Sequence, residues 1–215
     1  MTVQVKICGI STVEAMTAAV EGGAAFVGLV FYPPSPRTVT PSQATPLAAL
    51  VPAGIVKTGL LVDAEDATIE AILKEVPLDL LQLHGSESPE RVAAIKRRFG
   101  LPVMKVVKLR QEGDLEAAQS FLAVADRLLF DAKPPAEMTA ALPGGNAVAF
   151  DWTLLSGRSW PLPWMLAGGL TSQNVAQAVA VSGAPAIDVS SGVEDAPGKK
   201  NPQKIAAFLA ATRAL

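Results

Sequence analysis

The feature that most constrains this chain is a repeated alternation. Short apolar runs are separated by longer stretches of helical character, over and over along the chain. The runs are Val3 to Cys8, Ala25 to Phe31, Ile55 to Val62, Leu78 to Leu83, Pro102 to Val107, Leu128 to Phe130, Trp164 to Ala167 and Ala186 to Val189. They are continuously apolar rather than alternating, as expected of strands covered on both faces. The intervening segments carry helix punctuation. Ser11 and Thr12 offer caps before a stretch stopped by Gly22-Gly23, and Thr40-Pro41 combines a cap with a first-turn proline. A further segment runs from Asp63 to Val76. Ser88-Pro89-Glu90 starts a helix that stops at Gly100, and another is predicted from about Asp114 to Ala125. A helix from Thr171 to Val181 stops at Gly183, and Asn201-Pro202 opens the last one, with Ile205, Phe208 and Leu209 on one face.

Strands alternating with helices imply right-handed βαβ units and a parallel sheet. Eight such units close into a (β/α)8 TIM barrel, and 215 residues sit near the lower end of its size range. The predicted fold is therefore α/β, a single (β/α)8-barrel domain over residues 1–215. An open doubly wound sheet is the structural alternative. It would more often place a glycine-rich phosphate loop after the first strand, where this chain reads Cys8-Gly9-Ile10-Ser11.

Composition narrows the function. Half of the residues are hydrophobic, enough for a full core. A net charge of −2 argues against a nucleic-acid partner. One cysteine forms no intrachain disulfide or cysteine-based zinc cluster, and one histidine excludes a multi-histidine metal site. No metal is expected. The first ten residues lack signal-peptide character, and no apolar run reaches the roughly 20 residues of a membrane span. The expected location is a reducing cytoplasm, with no membrane partner.

Chemistry in a barrel belongs at the carboxyl ends of its strands. Cys8 ends the first run and reads as a small buried hydrophobe or as a thiolate base. Asp131 follows the sixth run. It reads as a loop anchor or cap, or as a buried carboxyl able to act as general acid. His84, after the fourth run, can hydrogen-bond a substrate or tie down its loop. Arg37 lies in a stiff long loop, Tyr32 to Val39, and is a solvated charge or a bidentate grip for a carboxylate. Asp188, inside the eighth run, either tunes interior neighbours or caps a turn. A second long loop, Ala132 to Phe150, also follows a strand, and such loops are commonly lids or clamps. Gly168-Gly169 after the seventh run and Ser190-Ser191-Gly192 after the eighth sit where barrels often bind phosphate. Glycine lets the backbone approach the anion, and the serine hydroxyls are expected to add donors.

These segments together resemble the phosphoribosylanthranilate isomerase family. The matching pieces are Lys6-Ile7-Cys8-Gly9-Ile10, Ser35-Pro36-Arg37, Gln82-Leu83-His84-Gly85, Leu129-Phe130-Asp131, Phe150-Asp151-Trp152, Leu166 to Leu170 and Asp188 to Glu194. They occur in family order across almost the whole chain. The resemblance implies a TIM barrel with no cofactor. It implies the Amadori rearrangement of N-(5-phosphoribosyl)anthranilate to 1-(2-carboxyphenylamino)-1-deoxyribulose 5-phosphate in tryptophan biosynthesis. It also implies Cys8 as general base, Asp131 as general acid and Arg37 on the anthranilate carboxylate. Gly168, Gly169 and the segment Ser190, Ser191, Gly192 would cradle the phosphate; His84 and Asp188 are added as candidate substrate-binding residues from their positions at the strand ends alone. The partner would be a small phosphorylated aminosugar, handled by a monomer or homodimer. One stretch departs from the family pattern. Gly144-Gly145-Asn146-Ala147 lacks the usual final glycine, which makes positive φ less accessible there. A related isomerase of a histidine-pathway aminoaldose is the nearest alternative, but that family carries aspartate where Cys8 stands. A dual-substrate enzyme is a further alternative. A non-catalytic phosphate-binding barrel would be expected to lack Cys8 or Asp131, and both are present.

Overall fold

The repeated strand and helix signals are realised in a computed structural model, which describes residues 2–133, 144–145 and 149–215. Strands β1 (Gln4–Cys8), β2 (Phe26–Val30), β3 (Val56–Leu61), β4 (Leu80–Leu83), β5 (Val103–Leu109), β6 (Arg127–Ala132), β7 (Trp164–Leu166) and β8 (Ala186–Val189) form a closed parallel barrel in sequence order. Pairing of β1 with β8, Lys6 opposite Asp188, closes the ring. The helices are α1 (Val13–Gly22), α2 (Pro41–Ala49), α3 (Asp66–Glu75), α4 (Pro89–Phe99), α5 (Glu116–Gln119), α6 (Val175–Ser182) and α7 (Pro202–Thr212). After β8 a short hairpin of β9 (Glu194–Ala196) and β10 (Lys199–Lys200) precedes α7.

The caps act as the sequence suggests. Thr12, Thr40, Ser88 and Asn201 accept backbone N–H bonds at the starts of α1, α2, α4 and α7. Thr40 and Gln43 complete a reciprocal capping box. Ile205, Phe208 and Leu209 of α7 are buried together.

Along each strand the residues divide between two cores. Val27, Leu81, Leu128, Leu166 and Ile187 join the large outer cluster beneath the helices. Their neighbours Phe26, Leu80, Leu129, Met165 and Ala186 form a separate cluster filling the barrel interior. The same alternation turns Lys6, Cys8, Lys108, Asp131 and Asp188 inward, because their strand neighbours lie in the outer core.

Three elements differ from expectation. The helix expected from Asp114 to Ala125 is only a 3-10 turn, Glu112–Leu115, followed by the four-residue α5. The Asp114 carboxylate accepts from the Arg110 and Gln111 amides and fixes the tight turn, and the Ser120 hydroxyl donates to the Ala117 carbonyl at the helix end. α6 begins at Val175 rather than Thr171. The Asn174 amide accepts from the Thr171 N–H and donates to the Gly169 carbonyl, holding residues 171–174 as a turn. The sixth strand is longer than its apolar run and contains Asp131, which removes the capping reading of that residue. The departure at Asn146-Ala147 lies outside the described residues.

Candidate active site

At the carboxyl ends of the strands the barrel opens into a cavity of about 770 Å³, counting its mouth. Cys8, Arg37, His84, Asp131, Gly168, Gly169, Asp188, Ser190 and Ser191 all line it. Cys8 at the end of β1 and Asp131 in β6 therefore face one space from different parts of the ring.

Cys8 is buried among charges. Lys6, two residues back on the same inward face, is fully buried and donates to Asp188 Oδ1 at 2.9 Å. Burial works against the Lys6 ammonium, but Asp188 and the neighbouring thiol outweigh it and hold Lys6 above the ordinary lysine value. Gly28 of β2 makes the room. A Cβ there would stand 3.0 Å from Lys6 Nζ and 3.1 Å from Cys8 Sγ. Burial pushes the Cys8 thiol up, and Lys6 and Lys200 offset only part of the rise. Burial thus favours the neutral thiol at Cys8. Asp188 is confirmed as an interior partner rather than a turn cap.

Asp131 Oδ1 accepts the Ala132 N–H at 2.8 Å, and Oδ2 lies 3.2 Å from His84 Nε2. That last contact is within ion-pair range but off the line of a hydrogen bond, so Nε2 has no hydrogen-bond partner among the described residues. His84 Nδ1 sits 3.3 Å from Gln82 Nε2. His84 thus faces the cavity and the acid rather than anchoring its own loop. The loop is fixed instead by the buried pair Lys105 and Glu87: Lys105 also donates to Gly85 O, and Glu87 accepts from the Asp63 and Gly85 amides. A Cβ on Gly144 would overlap the His84 ring and stand 3.0 Å from Asp131 Oδ2, so Gly144 itself lies against this pair.

Arg37 is buried, which excludes the solvated-charge reading. Its Nε and Nη2 donate to the two oxygens of Glu194, each at 2.8 Å, and Nη2 also reaches Gly145 O at 3.2 Å. Burial opposes ionisation of Glu194, but Arg37 and Lys200 together hold its carboxyl below the usual range. Lys200 also donates to the Ser190 carbonyl and hydroxyl, and burial pulls its own value down. The Ser190 hydroxyl in turn donates to the Cys8 carbonyl at 3.1 Å. In this arrangement its single proton points to the Cys8 carbonyl. Gly168 and Gly169 take positive φ, 92° and 62°, and line the cavity. Gly192 does not line the cavity; a Cβ there would overlap the Leu170 carbonyl, so its glycine serves packing of the loops after β7 and β8.

The sequence and this geometry agree with a family model. Residues 5–211 match the model for N-(5'-phosphoribosyl)anthranilate (PRA) isomerase. The chain belongs to the N-(5'-phosphoribosyl)anthranilate isomerase family. A curated N-(5'-phosphoribosyl)anthranilate isomerase of Paramagnetospirillum magneticum is 62% identical over 213 residues, covering 99% of this chain and 98% of the relative. That of Rhodospirillum centenum is 56% identical over the full length of both. The crystal structure of phosphoribosyl anthranilate isomerase from Thermotoga maritima superposes with a TM-score of 0.87 at 36% identity, covering 99% of this chain and all of that one. A phosphoribosyl anthranilate isomerase in complex with reduced 1-(o-carboxyphenylamino)-1-deoxyribulose 5-phosphate gives 0.83 at 34% identity, over 99% and 100%.

Within this isomerase fold, sequence reasoning missed Glu194, Lys200 and Gln82 as parts of the site. Glu194 stood in a recognised segment, but nothing local marks it as the partner of Arg37, 157 positions away. Lys200 appeared as one of two adjacent lysines in a turn. Only the β9–β10 pairing, Lys200 opposite Glu194, turns it inward.

Proposed function

We propose that the cavity carries out the Amadori rearrangement of N-(5'-phosphoribosyl)anthranilate to 1-(2-carboxyphenylamino)-1-deoxyribulose 5-phosphate, a step of tryptophan biosynthesis. The observation that carries the residue assignment is the meeting of Cys8 and Asp131 on one cavity, with a carboxylate grip at one side and glycine-lined loops at another.

The proposed chemistry uses two proton transfers. Asp131 donates to the furanose ring oxygen, and the ring opens to an iminium conjugated with the aromatic amine. The iminium acidifies the adjacent carbon and draws the Cys8 thiol to ionise, its proton leaving to solvent, and the carbon's proton then passes to the thiolate. The enolamine then tautomerises to the ketone, and proton exchange with solvent resets both side chains. No atom is gained or lost, as an isomerisation requires. Arg37 takes the anthranilate carboxylate, and the loops of Gly168-Gly169 and Ser190-Ser191 take the phosphate. Holding both ends aligns the reacting carbon with the base, and such alignment is worth several kcal/mol of barrier. His84, beside Asp131, orients the acid and the ring oxygen. The protein works in the cytoplasm, as a monomer or homodimer.

The test generates the labile substrate in situ from anthranilate and the activated ribose phosphate with the preceding enzyme, then follows loss of its fluorescence. Cys8→Ala and Asp131→Asn should each lower kcat by about a hundred- to ten-thousand-fold with an unchanged melting curve. Near-normal turnover in either variant rules out the assignment.

A further inference from the structure

We infer that Glu194 sets selectivity at the carboxylate end of the site, by aiming Arg37 so that its remaining N–H edge meets the substrate carboxylate. This rests on the reading of Arg37 as the carboxylate grip and adds what orients that grip.

A guanidinium presents donors along fixed edges. In this protein the Nε and Nη2 edge is taken by the two oxygens of Glu194 at 2.8 Å each. Nη1 makes no hydrogen bond among the described residues, while Nη2 shares its second proton with Gly145 O at 3.2 Å. The Nη1 donors are therefore the ones left for a ligand, with the second Nη2 proton available by exchange of its long bond to Gly145 O, and they belong to a side chain that lines the cavity. Glu194 is itself immobilised. It is buried, it accepts from Lys200 Nζ, and its Oε2 receives the Gly198 N–H at 3.3 Å.

The charges support the same reading. One carboxylate, Glu194, serves two cations, Arg37 and Lys200. The corner keeps one positive charge in excess, so pairing with Glu194 orients Arg37 without cancelling its attraction for an anion. An unanchored arginine on this loop would lose rotamer freedom on binding, and a preorganised one does not. Glu194 is accordingly a positioning residue: it touches Arg37, and Arg37 touches substrate.

The experiment compares two ligands. One is reduced 1-(o-carboxyphenylamino)-1-deoxyribulose 5-phosphate, and the other is the same molecule with an unsubstituted phenyl ring. The wild-type protein should bind the carboxylated ligand at least about tenfold more tightly, the range of a charged hydrogen bond. Glu194→Gln should erase most of that ratio while shifting Kd for the carboxyl-free ligand less than about twofold. In an Arg37→Met background, Glu194→Gln should change neither affinity further, since its effect passes through Arg37. Glu194→Asp keeps the charge and the carboxylate fork but is one methylene too short to reach Nε and Nη2 from the same backbone position. It should fold normally and lose part of the ratio, which keeps the test open if Glu194→Gln is unstable. Equal weakening of both ligands, or an unchanged ratio, overturns the proposal. A wild-type protein that does not discriminate overturns the carboxylate reading of Arg37 itself, and the proposal with it.

Discussion

The buried pair of Lys6 and Asp188 separates stability from chemistry, and Lys6→Met is the variant that shows it. Lys6 has no solvent exposure and Asp188 little, with 2.9 Å between Nζ and Oδ1. Removing one partner of such a pair leaves an uncompensated buried charge and typically costs about 3–5 kcal/mol. Asp188 lines the cavity, where water or a proton can reach it, so the lower end, about 3 kcal/mol, is expected. With a urea m-value of about 3 kcal/mol/M, that lowers the unfolding midpoint by about 1 M. Replacing both partners by apolar residues of similar volume is often neutral, so Lys6→Met with Asp188→Leu should recover most of the loss. The pH sign is favourable for the measurement. Lys6 is held above the ordinary lysine value, so its contribution is complete below that value and fades only as pH rises through the shifted one. Titrations at neutral pH therefore register all of it.

The chemistry should not recover with the stability. Lys6 is the largest of the influences that offset burial at Cys8, and its effect exceeds the opposing one of Asp188. Without both, the thiol is pushed further up. Cys8 is the sole cysteine, so the pH dependence of alkylation by iodoacetamide reports on it alone. The double variant should alkylate at higher pH than the wild type and lose about a hundredfold in kcat, the low end for a positioned base. An unchanged alkylation profile, or a double variant as unstable as Lys6→Met alone, refutes the reasoning.

Two further outcomes follow from the same contacts. Ser190→Ala removes the hydroxyl that bonds the Cys8 carbonyl, so kcat should fall about tenfold while affinity for phosphorylated product stays within about twofold; a selective loss of product affinity would instead return that hydroxyl to the phosphate. Burial opposes ionisation of Glu87, but Lys105 and backbone amides hold its carboxyl below the usual range, so its stabilisation is present above the unfolded value and is lost as pH falls through the depressed one. Glu87→Gln should therefore cost about 3 kcal/mol at neutral pH and flatten the acid limb of stability against pH, read by urea titration at several pH values.

The sequence displayed the barrel because its signal is local and repeated. Each strand is an apolar run and most helices carry their own caps, so Thr40, Ser88, Gly100 and Asn201 could be read without knowing the fold. The segment Asp114 to Ala125 misled for the converse reason. Its length and composition permit a helix, but side-chain bonds from Asp114 and Ser120 select a tighter path. At the site, Cys8, Asp131 and Asp188 were legible because a polar residue in a buried run must have a partner or a function. Glu194 and Lys200 were not. Their meaning depends on a hairpin that follows the barrel and folds back beneath Arg37 and Ser190. The resting state of Cys8 was also hidden, since it is a balance between burial and two ammonium groups that only coordinates can weigh.

That balance bears on the order of the proposed proton transfers. Each ammonium near Cys8 is paired with a carboxylate, Lys6 with Asp188 and Lys200 with the Glu194 that it shares with Arg37. Lys6 and Lys200 offset only part of the effect of burial, which decides for the neutral form. Asp131 has no such screen; its closest ionisable neighbour is the His84 ring. Ring opening by Asp131 creates a positive iminium next to Cys8, and the balancing negative charge is left on Asp131 in another strand of the same cavity. In a buried site that charge favours the thiolate far more strongly than it would in water. The base therefore becomes effective only after the acid has acted, so proton loss from the substrate carbon should follow ring opening. Exchange of that carbon's hydrogen with solvent in a substrate whose ring cannot open would contradict this order.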